Sequence, residues 1–416
     1  MYTSRELKKM PNSRILDDIV SIVKMKLAGH ELPLPPSTGM LDVQSIAVLS
    51  ARLLLDLSPA TSRARSYERE LIRSHLRVVY SVHKDRETVI SGSSPEPLIA
   101  EAAAQIMNGS DTMTPAMDTW KLLLEYVDNG LGGQGDIGEL IGRALSILAM
   151  DAAINNLDDV CELKYQTPIL VNDYYKALLT DEAWDILQNS FPANPHQLTS
   201  HDAQKNFKDA FSGAYFHFSH YARANDGTPL NRHYGWALWL RGTAILCQLN
   251  QEYTDRAIPI FFRPQGEKIS SESMSYVLDQ DKAGVTADPQ GITIQSAEKL
   301  NVFSGSTSLP YIAAVHCYAL ERDERLAVGG TQRPNQNRPA LTQNTAAPRY
   351  QINIRGLEPY RVLDPSTQAA IRSTINRTKS YLFEKHPRQY GVPVLRQMQP
   401  FLTGEPETSA WFGGYQ

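Results

Sequence analysis

Apolar positions recur at helical spacing through most of the first 160 residues. Arg14–Leu27, Asp42–Leu57, Tyr67–His83, Pro97–Met107, Met117–Val127 and Gly138–Leu157 each place them three or four apart, the pattern of a helix with one buried face. No alternation typical of strands interrupts this region. The pattern changes after Cys161. Asn206–Arg223 and Tyr234–Leu249 read as two further helices rich in aromatic residues. Short apolar runs follow at Ala257–Phe262 (AIPIFF), Ser275–Asp281, Ile292–Ile294, Tyr311–Leu320 and Tyr350–Ile354, as expected of buried strands. A helix is expected over Pro365–Phe383.

Breakers divide the chain. The Pro-rich ELPLPPSTG after the first helix reads as a linker, so residues 1–40 form an arm and 1–160 a helical region. Residues 161–416 form a mixed α/β part, in which the polar stretch Gly329–Pro348 marks a flexible loop near 327–349. The fold class is therefore mixed α/β of the α+β kind, with a helical N-terminal region and a C-terminal mixed sheet flanked by helices.

Composition removes several function classes. Of the 416 residues, 42% are hydrophobic and 21% charged, an ordinary globular balance, and the net charge of −4 draws the whole molecule to no polyanion. No window is apolar enough to span a membrane, and MYTSRELKKMPNSR has no apolar leader segment. A cytoplasmic or nuclear, non-secreted protein is expected. Cys161, Cys247 and Cys317 lack metal-site or disulfide spacing and read as reduced core thiols.

Few motifs carry chemistry. Gly133-Gln-Gly135-Asp-Ile-Gly138 spells GxGxxG, but a helix rather than a strand precedes it, so the glycines read as a turn between helices. Arg69, Arg73 and Arg77, four apart, mark one face of the expected Tyr67–His83 helix and read as solvated. His217 and His220 are three apart with no third ligand in sight, and read as core histidines. So do the aromatics around them: Tyr215, Phe216, Phe218, Tyr221, Trp236 and Trp239.

The best chemical candidate is Asp255 with Gln280-Asp281-Lys282. Asp255 immediately precedes one apolar strand and Lys282 ends the next. Alternation along SYVLDQDK places Tyr276, Leu278, Gln280 and Lys282 on one face, and Asp279 and Asp281 on the other. An Asp at one strand end beside an x-Lys pair at its neighbour's end is the layout of a PD-(D/E)xK nuclease site. There the carboxylates hold Mg²⁺, and the lysine orients water and stabilises charge on the phosphate. Gln280 stands where a second carboxylate would be. The bland alternative is a solvated strand end without metal.

The blocks FKDAFSGAYFHFSHYARAND, YGWALWLRGTAILCQ, DRAIPIFF, YVLDQDKAG and LPYIAAVHCYAL, continued by RYQINIRGLEPYRVLDP and EKHPRQYGVPVLRQMQPF, resemble a large family of basidiomycete fungal proteins with no assigned activity. The resemblance runs from about Gly138 to the C-terminus. Members often carry a strand ending in Gln-x-Lys-Asn. Gln280 and Lys282 match it, Ala283 replaces the Asn and Asp281 replaces an apolar residue. The resemblance implies a restriction-endonuclease-like core, either active or inactive. In an active core Asp255 would be the metal ligand, Gln280 a weak ligand and Lys282 the water-orienting group. Helix Tyr234–Leu249 shows no Glu where nucleases of this fold often have one. Arg349–Arg396 contains nine Lys/Arg against three Asp/Glu (9 − 3 = +6), a local patch suited to a phosphate backbone. The rival expectation is a non-enzymatic interaction or scaffold protein.

Overall fold

The computed structural model describes residues 13–28, 43–58, 61–82, 84, 89–109, 116–132, 137–224, 230–247, 254–263, 270–283, 302–303, 309–320, 324–334, 341 and 343–379. The chain divides into two units, 1–364 and 365–416. The described helices are α1 (Ser13–Ala28), α2 (Val43–Leu53), α3 (Ser62–Ser74), α4 (Pro97–Asn108), α5 (Thr119–Asp128), α6 (Ile137–Asn155), α7 (Val171–Leu178), α8 (Asp181–Gln188), α9 (Ser200–Ala203), α10 (Phe207–Ala210), α11 (Arg232–Leu240) and α12 (Pro365–Lys379). The strands are β1 (Arg77–Val82), β2 (Val89–Ser93), β3 (Ile169–Leu170), β4 (Ala214–Phe216), β5 (His220–Arg223), β6 (Thr243–Leu246), β7 (Arg256–Phe262), β8 (Met274–Lys282), β9 (Tyr311–Cys317), β10 (Arg325–Val328) and β11 (Arg349–Arg355). Helix α12 belongs to the second unit; everything else described belongs to the first. The mixed α/β class is as expected. Among the described residues no helix is long and apolar enough to cross a membrane.

The first unit is built on a mixed sheet ordered β10-β11-β9-β8-β7-β4-β3, with β6 also pairing β7 and β5 pairing β6. The β8–β9 and β9–β11 pairs are parallel, whereas β7–β8 is antiparallel. The central strands β7, β8 and β9 are buried almost throughout, which is why they read as nearly continuous apolar runs. On one face, Tyr276 and Leu278 of β8 join Leu230, Leu238, Ala313 and Val315 in a single apolar cluster. Helix α11 comes close there, since a Cβ on Gly235 would lie 2.7 Å from the Tyr276 hydroxyl. The opposite face receives α6. Its Gly138, Gly142 and Ser146 stand four residues apart on one side of the helix, and a side chain at Gly142 would collide with the Asp281 carboxylate.

Five expectations are corrected. Tyr67–His83 is not one helix: α3 stops at Ser74, Leu76 takes a positive φ of 60°, and β1 begins. The N-terminal region thus contains a β1–β2 hairpin where no strand was expected. Arg77 is consequently buried and donates from Nε to Ser91 Oγ (2.7 Å), so it shares no face with Arg69 and Arg73. Asn206–Arg223 folds as α10, β4 and β5, because β4 pairs with β7 and β5 with β6. Tyr234–Leu249 ends as helix at Leu240, and Gly242, at φ 62°, turns the chain into β6. In each of the three segments read as a helix, strand pairing overrides a local helical period.

The polar stretch before β11 is partly anchored. Thr199 N–H donates to Asn344 Oδ1 (2.7 Å), Asn344 Nδ2 to Asp202 (2.7 Å) and Thr345 N–H to the Gln197 carbonyl (2.9 Å). The expected strand at Ile292–Ile294 lies outside the described residues, as do Gly133 to Asp136 of the GxGxxG string.

Candidate functional site

Asp255 and Arg256 are neighbours at the start of β7, so they point to opposite faces of the sheet. Asp281 and Lys282, at the end of β8, do the same. The antiparallel register sets Arg256 opposite Asp279, which carries Asp255 to the end of β8 beside Gln280 and Lys282. Two clusters therefore lie back to back at one sheet end.

On the α11 side, Lys282 Nζ lies 3.7 Å from Asp255 Oδ2. The same carboxylate oxygen accepts the backbone N–H of Asp281 at 2.7 Å. Burial raises the Asp255 pKa, the nearby Asp281 charge adds to the rise, and the Asp281 N–H and Lys282 oppose it. Gln280 is 7% exposed, and its Oε1 is buried without a hydrogen-bond partner. An orphaned carbonyl oxygen of this kind is a place for water or a cation. Cys247 is also near. Burial pushes its thiol up to about 12, and the carboxylates of Asp255 and Glu139 add to the effect. Glu139 stands in the first turn of α6, next to Gly138, where a Cβ would meet the Ala283 backbone nitrogen at 3.1 Å. Among the described residues the Glu139 charge is felt at Cys247 and is not among the main influences on Asp255. Among the described residues no group of three or more His, Cys, Asp or Glu side chains is placed to hold a metal ion.

The α6 side is a closed polar network. Arg256, 1% exposed, donates from Nε to Asp281 Oδ2 (2.6 Å) and from Nη2 to Asp281 Oδ1 (3.1 Å). Its Nη1 reaches Ser146 Oγ (2.7 Å) and the Tyr221 hydroxyl (3.0 Å), and Nη2 lies 3.3 Å from Asp279 Oδ2. Tyr318 donates its hydroxyl to Asp281 Oδ1 at 2.6 Å. His316 links Asp279 (Nε2 to Oδ1, 3.3 Å) to the Tyr360 hydroxyl (Nδ1, 2.7 Å). Burial would lower the charge on Arg256, but the Asp281 and Asp279 carboxylates hold its pKa well above the usual value. The Asp279 carboxyl, itself penalised by burial, is held below its ordinary range by Arg256.

The sequence-predicted residues Asp255, Gln280 and Lys282 thus share one face, with Asp255 and Lys282 in ion-pair range. Arg256, His316, Tyr318 and Tyr360 were not anticipated. Arg256 was legible only as the residue beside Asp255, facing the two aspartates that alternation assigns to the opposite face. His217 and His220 do not share a helix. His217 Nδ1 lies 2.6 Å from the Trp239 carbonyl, while His220 contacts Ser219 and Thr243 hydroxyls, each at 3.1 Å. Burial lowers their pKa values to about 4 and about 3. Both are neutral core residues, as expected. Cys247 and Cys317 are buried and Cys161 is half-buried, and none of the three forms a disulfide.

Residues 37–190 match a domain of unknown function (DUF8736). The match spans α2 to α8 with the β1–β2 hairpin and ends before β7 and β8. It includes Glu139 and the α6 face that receives Asp281, but not Asp255, Gln280 or Lys282. No curated protein and no solved structure matches the chain.

Proposed function

We propose that the first unit has a nuclease-like core and hydrolyses phosphodiesters at Asp255, Gln280 and Lys282 with a divalent cation. The observation that carries this reading is the ammonium of Lys282 at 3.7 Å from Asp255, next to the buried, unpartnered carbonyl oxygen of Gln280.

The donor set fits a hard cation. A carboxylate and an amide oxygen are both oxygen ligands, and Mg²⁺ commonly takes one or two carboxylates while keeping waters and substrate phosphate. Asp255 and Gln280 would hold the ion, and a bound Mg²⁺ would polarise the phosphoryl oxygens. The protein's own groups supply the rest. The Asp281 N–H fixes the orientation of the Asp255 carboxylate. Lys282, with its side chain 36% exposed, reaches solvent and orients a water while offsetting charge that grows on the phosphate. The basic run Arg349–Arg396 supports contact with a nucleic-acid backbone. Within it Arg361 is already engaged by the Leu179 carbonyl and Asp181, while Lys385, Arg388 and Arg396 lie outside the described residues.

A specific observation favours a second reading, a non-enzymatic scaffold of the interaction type. Asp279 and Asp281 are held on the other face by Arg256, which leaves the open face a single aspartate on these two strands. There the Asp255–Lys282 pair simply closes a strand end.

Cleavage of DNA and RNA with Mg²⁺ or Mn²⁺ by the wild type, Lys282→Ala and Asp255→Asn separates the two. The nuclease reading expects activity in the wild type alone. Equal activity in all three points to a contaminant, and none in any favours the scaffold.

A further inference from the structure

The β1–β2 hairpin concentrates apolar surface. Five of the ten large hydrophobic side chains exposed among the described residues belong to its eleven residues: Val78, Val79, Tyr80, Val82 and Ile90, exposed by 39–59%. Every β1 residue after Arg77 is exposed, although strand side chains alternate between faces. Among the described residues the sheet has only these two strands, and no other segment bonds to the outer backbone edge of β1. Neither strand carries a charge except Arg77, whose guanidinium is turned inward to Ser91 and the Leu55 carbonyl. Proteins normally blunt such an edge with Lys, Pro or a bulge. Here the single device is a bulge at Tyr80, between the Val79↔Ser91 and Ser81↔Ile90 pairs. A lone two-stranded sheet with this surface gains from further strands.

We propose that β1 is a two-fold interface with β1 of a second copy of this chain, making a four-stranded sheet ordered β2-β1-β1-β2. The strand itself argues for a copy. Val78-Val79-Tyr80-Ser81-Val82 reads nearly alike from both ends. Antiparallel self-pairing centred on Tyr80 sets Val78 against Val82 and Val79 against Ser81, and brings the two tyrosines together. With no charge from Val78 to Val82, and the Arg77 guanidinium held by Ser91 and the Leu55 carbonyl, self-pairing over these five residues juxtaposes no like charges, and a nucleic acid would meet no cation on them. Eleven residues per copy is about half of the 20–30 in a standard interface, so the dimer is weak and concentration-dependent, in the micromolar range. The inference stands on the hairpin alone and is independent of the reading of Asp255 and Lys282.

Sedimentation equilibrium of the full chain from about 1 to about 200 μM tests it. The wild type shifts from monomer to dimer across that range. The variant Val78→Lys/Val82→Lys, at positions 44% and 55% exposed, keeps its circular dichroism and Tm but weakens the dimer by more than about tenfold. Tyr80→Cys forms a disulfide-linked dimer on mild oxidation, since facing strand residues lie within disulfide reach; Ile186→Cys, exposed elsewhere, does not. A wild type that stays monomeric throughout overturns the proposal. So does a dimer that persists unchanged in the lysine variant, or one that Tyr80→Cys fails to link.

Discussion

Arg256 and Asp281 meet diagonally across the β7–β8 pair as a buried two-pronged ion pair, with Nε–Oδ2 at 2.6 Å and Nη2–Oδ1 at 3.1 Å. Each is the chain neighbour of a residue of the open cluster, Asp255 or Lys282. The pair on one face therefore sets the strand register on which the other face depends.

Breaking that pair is costly. Arg256→Met leaves Asp279 and Asp281 buried without their cation and destabilises the protein by about 3–5 kcal/mol. The double variant Arg256→Met/Asp281→Leu loses less than the sum of the two single changes, because each removes the other's reason for being charged. Urea unfolding of the four proteins measures the coupling, and additive losses would disprove it.

The approach of α6 to β8 depends on a missing side chain. Gly142→Ala forces a methyl group against the Asp281 carboxylate, and a loss of about 1–3 kcal/mol is expected in the urea midpoint. Gly213→Ala, with nothing within 4 Å of its added carbon, changes stability little or raises it by about 0.4–1 kcal/mol.

Two sets of buried groups oppose each other in pH dependence. His217 and His220 have folded pKa values lowered to about 4 and about 3, so the unfolded state binds protons first and stability is lost as pH falls below about 6.5. Glu101 behaves in the opposite sense. Burial raises its folded pKa to about 7, against hydrogen bonds from Gln105 and the Tyr165 N–H, so the stability it contributes at low pH is lost as pH rises from about 4.5 to 7. Glu101→Gln is expected to stabilise at pH 8 by on the order of 1–3 kcal/mol, with the gain vanishing near pH 4.5. The acid limb of the urea-midpoint curve becomes steeper in this variant; an unchanged limb would rule out an ionising Glu101.

Gln280→Glu adds a buried carboxylate beside Asp255. Without metal its Tm falls, from the cost of burying charge. If the proposed cation site is right, millimolar Mn²⁺ is expected to restore it and to raise the wild-type Tm less, because binding to the folded state alone stabilises it. Asp255→Asn shows no Mn²⁺ shift. An equal shift in Asp255→Asn and the wild type would place the ion elsewhere.

The parts of the fold that the sequence determined are those with strong local signals. Helices α4, α5 and α6 were legible from their period. β7, β8 and β9 were legible because strands buried on both faces must be apolar nearly throughout. Strand alternation separates Gln280 and Lys282 from Asp279 and Asp281, so the division of this segment between two faces is written in the sequence. Tertiary structure decided the rest. The aromatic spacing of Asn206–Arg223 suits a helix, yet pairing with β6 and β7 makes two strands of it, and the partner of Phe216 is Ile260, far along the chain. Nothing local announces that Arg256 will take both aspartates of β8, or that glycines of α6, more than a hundred residues earlier, leave the room for it. Those outcomes follow from which groups a packed interior brings within hydrogen-bond distance, and a one-dimensional pattern does not encode that distance.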